Sequence, residues 1–340
     1  MYECQKMTVV RKQGHIWRNG ATPQLLLLFL ALLRGQTIGQ ELKDTAVPDP
    51  NVSLKLPLDQ ELGSRIEEAL KRHEYERAET LLVEKIEQNS KSPGLLTLLG
   101  HIFFLDSKYL NSAVAIKKAE ALSPLDEADR FTLAMAYIRL NHNDWAKPEL
   151  IRLAQTNPTK ALYPYWVGRL EYAAQQFKSA VTQFRRALEL DPDFVKAHDN
   201  LGLCHEALGE YDEAIRNYQE ANRLNRQNTP GSAWPPLNFG TLLAKLNRLS
   251  EAEFYLRESL SYDKAFSKAH YQLGVLLEKQ QKYAEAIVEL RQASDLDPSY
   301  PDPHYALSRI YRKQGETKNA ETALNTFQRL KKVQRLETPH

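Results

Sequence analysis

A 34-residue period in the middle of the chain constrains its fold more than any other feature. Segments 161–194 and 195–228 can be laid one over the other, and small and aromatic residues then coincide. The coincident pairs, each separated by one period, are Gly168 with Gly202, Phe177 with Tyr211, Ala180 with Ala214, Phe184 with Tyr218 and Ala187 with Ala221. A fixed period of about 20–50 residues is typical of repeats that stack along one axis. The sequence therefore predicts a repeat array instead of a single central core.

The same register extends in both directions from this pair. Small residues recur at this period up to Gly202 and again from Gly240 onward, but the step between these two glycines is one period plus four residues. Proline independently indicates the same insertion, because Pro298 lies three periods plus four residues beyond Pro192. The sequence thus predicts eight units with one four-residue insertion. The units are expected to start near residues 59, 93, 127, 161, 195, 233, 267 and 301.

Each unit has the pattern of two antiparallel helices. Its first half carries apolar residues three and four positions apart, as in Leu96, Leu99 and Phe103, which indicates one buried helical face. Its second half alternates small and bulky residues, which lets two helices approach closely. A proline such as Pro192 closes the unit, because the residue before proline is disfavoured in the helical region. An all-α fold follows.

This pattern resembles the tetratricopeptide repeat, a 34-residue motif with characteristic small, aromatic, alanine and proline positions. Units 195–228 and 267–300 match it well. Unit 59–92 departs from it, with Ile66 at the usual glycine position, as a terminal capping repeat can. The resemblance covers residues 59–328. It implies a right-handed superhelical solenoid of antiparallel helix pairs, with protein partners bound in the concave groove that the first helices form.

The N-terminal region resembles a targeting sequence. A basic stretch precedes nine apolar residues at 25–33, which are too few for a membrane span of roughly 20 residues. We interpret residues 1–39 as a secretory signal peptide cleaved before Gln40, with Met7 as an alternative start. We therefore expect an exported protein, periplasmic or secreted, with no membrane span in the mature chain; the alternative is an uncleaved N-terminal anchor. Residues 40–58 contain three prolines without a helical period and predict a linker.

Two segments interrupt the repeats. The insertion at 229–232 separates repeats 1–5 (59–228) from repeats 6–8 (233–328), and turn and helix-start signals surround it. We expect a hinge there. Its predicted residues are Pro230, Gly231, Trp234 and Pro235. The C-terminal tail, 329–340, carries apolar residues three apart among basic ones and is expected to cover the open face of the last repeat.

The sequence contains no recognisable catalytic arrangement. It has no phosphate-binding glycine-rich loop, no nucleophile elbow and no paired-cysteine metal site. Cys204 is expected to be a small buried residue. His198, His270 and His304 recur at one repeat position, where we expect them to pack and not to bind a metal. We therefore predict a protein that is not an enzyme and that has no cofactor and no metal site.

The groove is the expected binding site. From the resemblance, the candidate partner contacts are Phe104, Phe131, Met135, Tyr165, Arg169, Tyr172, Tyr271, Tyr305, Arg309 and Arg312. Exposed aromatics can hold peptide side chains, and arginine can hold carboxylates. The leading hypothesis is a scaffold or adaptor that binds a protein or peptide segment during assembly of an envelope or extracytoplasmic complex.

Two other functions stay open at this point. One is a regulatory or targeting subunit of a separate transferase-type enzyme. The other is nucleic-acid binding, which the near-neutral net charge of +2 and the export signal disfavour. The cations that such binding would use are Arg309, Arg312, Lys313, Lys331 and Lys332.

Overall fold

The computed structural model describes residues 58, 60–88 and 91–337. These residues form sixteen α-helices and no β-strand. The helices are α1 (Gln60–Lys71), α2 (Tyr75–Gln88), α3 (Pro93–Leu105), α4 (Tyr109–Glu120), α5 (Glu127–Arg139), α6 (Asn143–Thr156), α7 (Leu162–Ala173), α8 (Phe177–Leu190), α9 (Val195–Leu208), α10 (Tyr211–Asn225), α11 (Trp234–Lys245), α12 (Leu249–Tyr262), α13 (Ser267–Lys279), α14 (Tyr283–Leu296), α15 (Asp302–Lys313) and α16 (Thr317–Glu337). Odd-numbered helices are the first helices of the repeats and even-numbered helices the second. The first helices begin within one residue of the eight predicted starts, which confirms the repeat register.

Consecutive helices pack against one another along the whole series. The first helices of neighbouring repeats also touch, as α11 does with α13 and α13 with α15. All sixteen belong to one compact unit. This arrangement is the predicted solenoid of antiparallel helix pairs.

The recurring glycines mark the closest approach of the two helices within a repeat. A methyl group on Gly202 would lie 2.7 Å from ring atoms of Tyr218, and one on Gly168 would lie 2.9 Å from Phe184. Ordinary carbon contacts are about 3.5–4.0 Å, so a side chain at these positions would collide with the ring. Both rings are fully buried. The pairing of a glycine with a bulky residue sixteen positions later is a steric contact within the repeat that recurs with the 34-residue period.

The turn inside each repeat contains one residue with left-handed backbone geometry, at φ between 58° and 79°. In chain order these residues are His73, Ser107, Asn141, Gln175, Gly209, Asn247, Gln281 and Gly315. The N–H that follows returns to a carbonyl five residues earlier, as Gln176 does to Glu171 at 2.8 Å. This is the Schellman helix end, which satisfies carbonyls that the helix leaves without partners. This helix end lets a turn of only a few residues reverse the chain in each of the eight repeats.

Hydrogen bonds tie the insertion between α10 and α11 to its surroundings. The side-chain amide of Asn225 donates to the carbonyl of Ser232 and accepts from its N–H, both at 2.8 Å. The hydroxyl of Ser259 donates to the carbonyl of Ala233 at 2.8 Å. The insertion is therefore anchored to both the helix before it and α12.

The predicted hinge residues lie in or beside this anchored segment. Trp234 packs edge-on against Phe266, with 4.8 Å between ring centroids, and Pro235 lies in the first turn of α11 as expected. The hydrophobic core continues across the insertion, because Tyr218 of α10 stacks on Phe239 of α11. Bending here would require this core to shear. Motion about Pro230, Gly231, Trp234 and Pro235 stays a prediction.

The described part of the C-terminal tail continues α16 and does not form a separate cap. This helix has 21 residues, compared with 12 to 15 in the other second helices. Val333 and Leu336 are exposed, so these two apolar side chains do not cover the last repeat. Lys331 lies 3.6 Å from Asp302 and attaches the extension to α15.

The predicted signal peptide, 1–39, and all of the linker except Leu58 lie outside the described residues. Among the helices that the structure does describe, none combines the length and the apolarity that crossing a bilayer requires.

Candidate partner-binding face

The structure buries half of the predicted groove residues. Phe104, Met135, Tyr165, Arg169 and Tyr172 each expose no more than 5% of their surface. A side chain covered to this extent has little area to offer a partner. Direct contact with a partner through these five residues is therefore not supported, and their role in packing corrects the sequence-based expectation.

Aromatic packing between repeats explains this burial. The ring of Tyr165 on α7 lies 4.8 Å from Phe194, which precedes α9, and 5.8 Å from Phe184 on α8. Arg169 donates to the hydroxyl of Tyr165 at 3.0 Å and lies over Trp166. Burial strongly raises the pKa of the neighbouring Cys204 thiol, which favours the neutral thiol and confirms Cys204 as a core residue.

Desolvation lowers the pKa of the Lys196 ammonium on α9, and the positive charge of Arg169 lowers it further, although the residue as a whole is exposed. Both effects disfavour the charged ammonium. Repeats 4 and 5 thus use polar and aromatic side chains of their first helices to join one repeat to the next.

The last repeats keep more of the predicted residues accessible. Tyr305 is 44% exposed, and Arg312 is exposed as well. Phe131 and Tyr271 are half-buried. Burial raises the pKa of Tyr271 to about 12, so its hydroxyl is neutral and can donate a hydrogen bond at ordinary pH. The accessible part of the predicted site therefore lies on α15, with Tyr271 of α13 beside it.

A row of three lysines on the same helices was missed at the sequence level. Lys245, Lys279 and Lys313 are the last residues of α11, α13 and α15. Each lies one repeat period from the next, which is the signal that could have revealed them. We call these three residues the lysine row.

Every ammonium of the lysine row reaches back to the end of the preceding first helix. Lys245 lies 3.4 Å from a carboxylate oxygen of Glu206, and Lys313 lies 3.0 Å from Glu278. Lys279 donates to the main-chain carbonyl of Ala244 at 2.9 Å. Because carbonyls at a helix C-terminus carry partial negative charge, a cation at this place stabilises the helix.

Two tyrosine rings lie against ammonium groups of the lysine row. The ammonium of Lys245 lies 5.0 Å from the ring centre of Tyr211, and that of Lys313 lies 5.7 Å from the ring centre of Tyr283. A cation over an aromatic face at these distances is attracted by the ring quadrupole. The repeat thus holds the lysines in one arrangement while 44% and 52% of the Lys245 and Lys313 side chains stay exposed.

The recurring histidines have a structural role. The Nε2 atoms of His198 and His270 lie 2.9 and 3.0 Å from the carbonyls of Pro192 and Lys264, in the turn that precedes their helices. Burial lowers the pKa of His304, which favours its neutral form. Within the described ranges, no group of three or more histidine, cysteine, aspartate or glutamate side chains is placed to bind a metal.

Three of the five cations considered for nucleic-acid binding take part in ion pairs inside the protein. Arg309 and Lys313 share the carboxylate of Glu278, at 2.5 and 3.0 Å, and Lys331 pairs with Asp302. These carboxylates lower the net positive charge around the three cations, although two of the cations share Glu278. Sequence-independent DNA binding depends on a large net positive charge.

Family comparisons identify the repeat. Models described as "Tetratricopeptide repeat" match residues 167–232 and 237–266, and a model described as "TPR repeat" matches residues 279–315. The helix pairs in these matched segments are tetratricopeptide repeats. The matched segments fall on repeats 4–8, where the sequence signature is also clearest.

Solved structures with similar folds agree. A tetratricopeptide repeat protein from Parabacteroides merdae aligns with 78% of this chain and 98% of its own, at 18% identity and a TM-score of 0.60. Yeast Tom70 aligns with 92% of this chain and 74% of its own, at 16% identity and a TM-score of 0.61. PilW, a widely conserved type IV pilus biogenesis factor, aligns with 59% of this chain and 92% of its own, at 20% identity and a TM-score of 0.54. At these identities the likeness concerns the fold alone. Comparison with characterised sequences gave no match.

Proposed function

We propose that this protein is a non-enzymatic scaffold that binds a protein or peptide segment on the first helices of its last three repeats. One observation carries the proposal: α7 of repeat 4 buries Tyr165, Arg169 and Tyr172, whereas α15 leaves Tyr305 and Arg312 accessible. An exposed aromatic and an exposed arginine two turns apart on one helix suit a peptide, because the ring takes an apolar side chain and the guanidinium takes a carboxylate.

The cellular setting of the proposal rests on the N-terminal sequence. A signal peptide at 1–39 would place the repeats in the periplasm or outside the cell, where they would help to assemble an envelope or extracytoplasmic complex. Cell fractionation tests this part. Recovery of the full-length chain, still carrying residues 1–39, in the cytoplasm would contradict it.

The binding face is tested with a variant that leaves the core intact. In Tyr305→Ala/Arg312→Ala, crosslinking in living cells should recover less of the wild-type partner. The matched control is Phe254→Ala/Arg185→Ala, which removes an exposed aromatic and an exposed arginine from second helices. Equal recovery of the partner with both variants would show that α15 is not the binding face.

A further inference from the structure

The lysine row lies on first helices that touch one another. Helices α11, α13 and α15 form a contiguous surface, since α13 contacts both of the others. Packed helices lie about 8–10 Å apart, and from this we infer a similar separation between neighbouring lysines of the row. The row is thus a line of three cations with a regular step, built by the repeat itself.

Two carboxylates, Glu206 and Glu278, form ion pairs with Lys245, Lys313 and Arg309. Glu278 is the one carboxylate that Arg309 and Lys313 share. Lys279 is exposed, and its acceptor is a neutral carbonyl. Lys245 has Glu206 at 3.4 Å, which is longer than the common separation of about 2.7–2.9 Å in a charge-assisted hydrogen bond. A line of cations that is only partly neutralised favours an anionic partner.

The distance between neighbouring lysines of the row limits which backbone conformations such a partner can have. A chain in the polyproline II conformation has three residues per turn and rises about 3.1 Å per residue, so every third side chain points the same way at steps of about 9 Å. A β-strand does not fit this step, because its side chains alternate and residues three apart face opposite sides. The spacing of the lysines therefore matches carboxylates on every third residue of a polyproline II segment.

We propose that the lysine row binds an acidic peptide segment in the polyproline II conformation, with a carboxylate at every third residue. This inference rests on the proposed function, and it names the chemistry of the partner and the residues that select it. Lys245, Lys279 and Lys313 each take one carboxylate, while the rings of Tyr211 and Tyr283 hold the first and last ammonium groups in place.

Two synthetic peptides of equal composition test the spacing. The first is Glu-Pro-Ala repeated three times, and the second carries its three glutamates together, followed by three Pro-Ala pairs. With a fluorescent label and anisotropy as the readout, the spaced peptide should bind at least tenfold more tightly, which corresponds to about 1.4 kcal/mol. Its affinity should fall as salt is added. Equal affinity for the two peptides would overturn the proposal.

Variants of the full chain test the residues. K245Q/K279Q/K313Q should bind the spaced peptide at least tenfold more weakly. The control K118Q/K178Q/K318Q removes three exposed lysines from second helices and should bind like the wild type. Because Glu206 and Glu278 lose a partner in the first variant, the single variant K279Q serves as a second check, with an expected loss of about threefold at unchanged thermal stability. Unchanged binding by K279Q and the triple variant would sink the assignment.

The same variants separate this inference from the proposed function. If crosslinking recovers the same partner, to the same extent, from wild type and from K245Q/K279Q/K313Q, then the lysine row is not the site and the scaffold function stands. If wild type enriches no protein over a control that lacks the repeats, the scaffold function itself fails.

Discussion

Adding one methyl group at Gly202 should destabilise the array, although alanine is the better helix former. Exchange of glycine for alanine inside a helix stabilises it by about 0.8–1.0 kcal/mol. In α9, however, the new methyl would lie 2.7 Å from Cδ1 and Cε1 of Tyr218. The ring has no free direction of movement, because it is fully buried, stacks on Phe239 and bonds through its hydroxyl to Glu206 at 3.3 Å.

The magnitude follows from these two opposed effects. Overpacking a core by one methyl group costs about 1–3 kcal/mol. Set against the gain in helix propensity, Gly202→Ala should lower the free energy of unfolding by roughly 0–2 kcal/mol. Gly63→Ala is the matched control, since Gly63 lies in α1 and its methyl would meet only Leu58, at 4.0 Å. That variant should gain up to about 1 kcal/mol.

Urea unfolding followed by far-ultraviolet circular dichroism measures both variants. The difference between the two variants isolates the overpacking cost, because the propensity gain is the same in each. Repeats couple mainly to their neighbours, so the slope of the transition has to be equal in all three proteins before midpoints are compared. If both variants are stabilised alike, the close approach of Gly202 and Tyr218 does not require glycine at this position.

Three further predictions concern single groups. With Cys4 replaced by serine, Cys204 should react with a thiol reagent only after unfolding, since it is buried and its pKa is raised; fast labelling of the native protein would contradict this. Asn225→Ala should cost about 1–2 kcal/mol and speed tryptic cleavage within 226–233, whereas the control Asn217→Ala, whose amide bonds within its own helix, should not. Burial opposes ionisation of Glu127, but its lysine and tyrosine partners outweigh this and lower its pKa; its stabilisation is therefore present above about pH 4.5 and lost as pH falls through the folded-state pKa. Glu127→Gln should flatten that acid limb of the stability curve, and an unchanged limb would refute the assignment.

The fold could be predicted from the sequence because the repeat depends on close contacts between small and bulky residues at fixed positions. Gly202 and Tyr218 must approach closely, and Gly100, Gly168, Gly240 and Gly274 make the same kind of contact in four other repeats, so the register survives even where other positions vary. The turns within the repeats were harder to predict from the sequence. Only Gly209 and Gly315 are glycines among the described turn residues with positive φ, and side chains such as Gln175 and Gln281 take the same conformation without a sequence signal as strong as glycine.

The candidate site was predictable only in part, for a physical reason. Position within a repeat indicates which side of a helix a residue occupies, but burial also depends on what the next repeat places over that side. Phe194, which precedes α9, covers Tyr165, whereas Tyr305 packs against Phe327 of the last helix and stays 44% exposed. A single repeat does not contain this information, because it arises from the identity of the neighbour.

The lysine row was missed for a related reason. Lysine is common on helix ends, where it stabilises the carbonyls, and a lone lysine there carries no functional meaning. Lys245, Lys279 and Lys313 differ from a lone lysine because they recur at one repeat position and because tyrosine rings lie against two of them. Neither feature corresponds to a motif that a single stretch of sequence displays.

Under the proposed function, the two halves of the array would divide stability and recognition between them. In repeats 4 and 5, the first helices bury Tyr165 and Arg169, and burying charged and polar groups is tolerated only where fixed partners surround them. Such a region holds its geometry, but its buried Tyr165 and Arg169 offer little surface to a partner. In repeats 6–8, Lys245, Lys279 and Lys313 stay exposed at the ends of first helices, beside a core that continues through α11 to α16. A partner that bound Tyr165 and Arg169 would have to unpack that part of the core, whereas one that bound the lysine row would find its cations already in place.

Binding at the lysine row is for this reason expected to leave the unfolding of repeats 4 and 5 unchanged. Hydrogen exchange of α7 and α9, with and without the spaced peptide, measures this. Protection from exchange that rises in α7 and α9 and not in α11 to α15 would reverse the division.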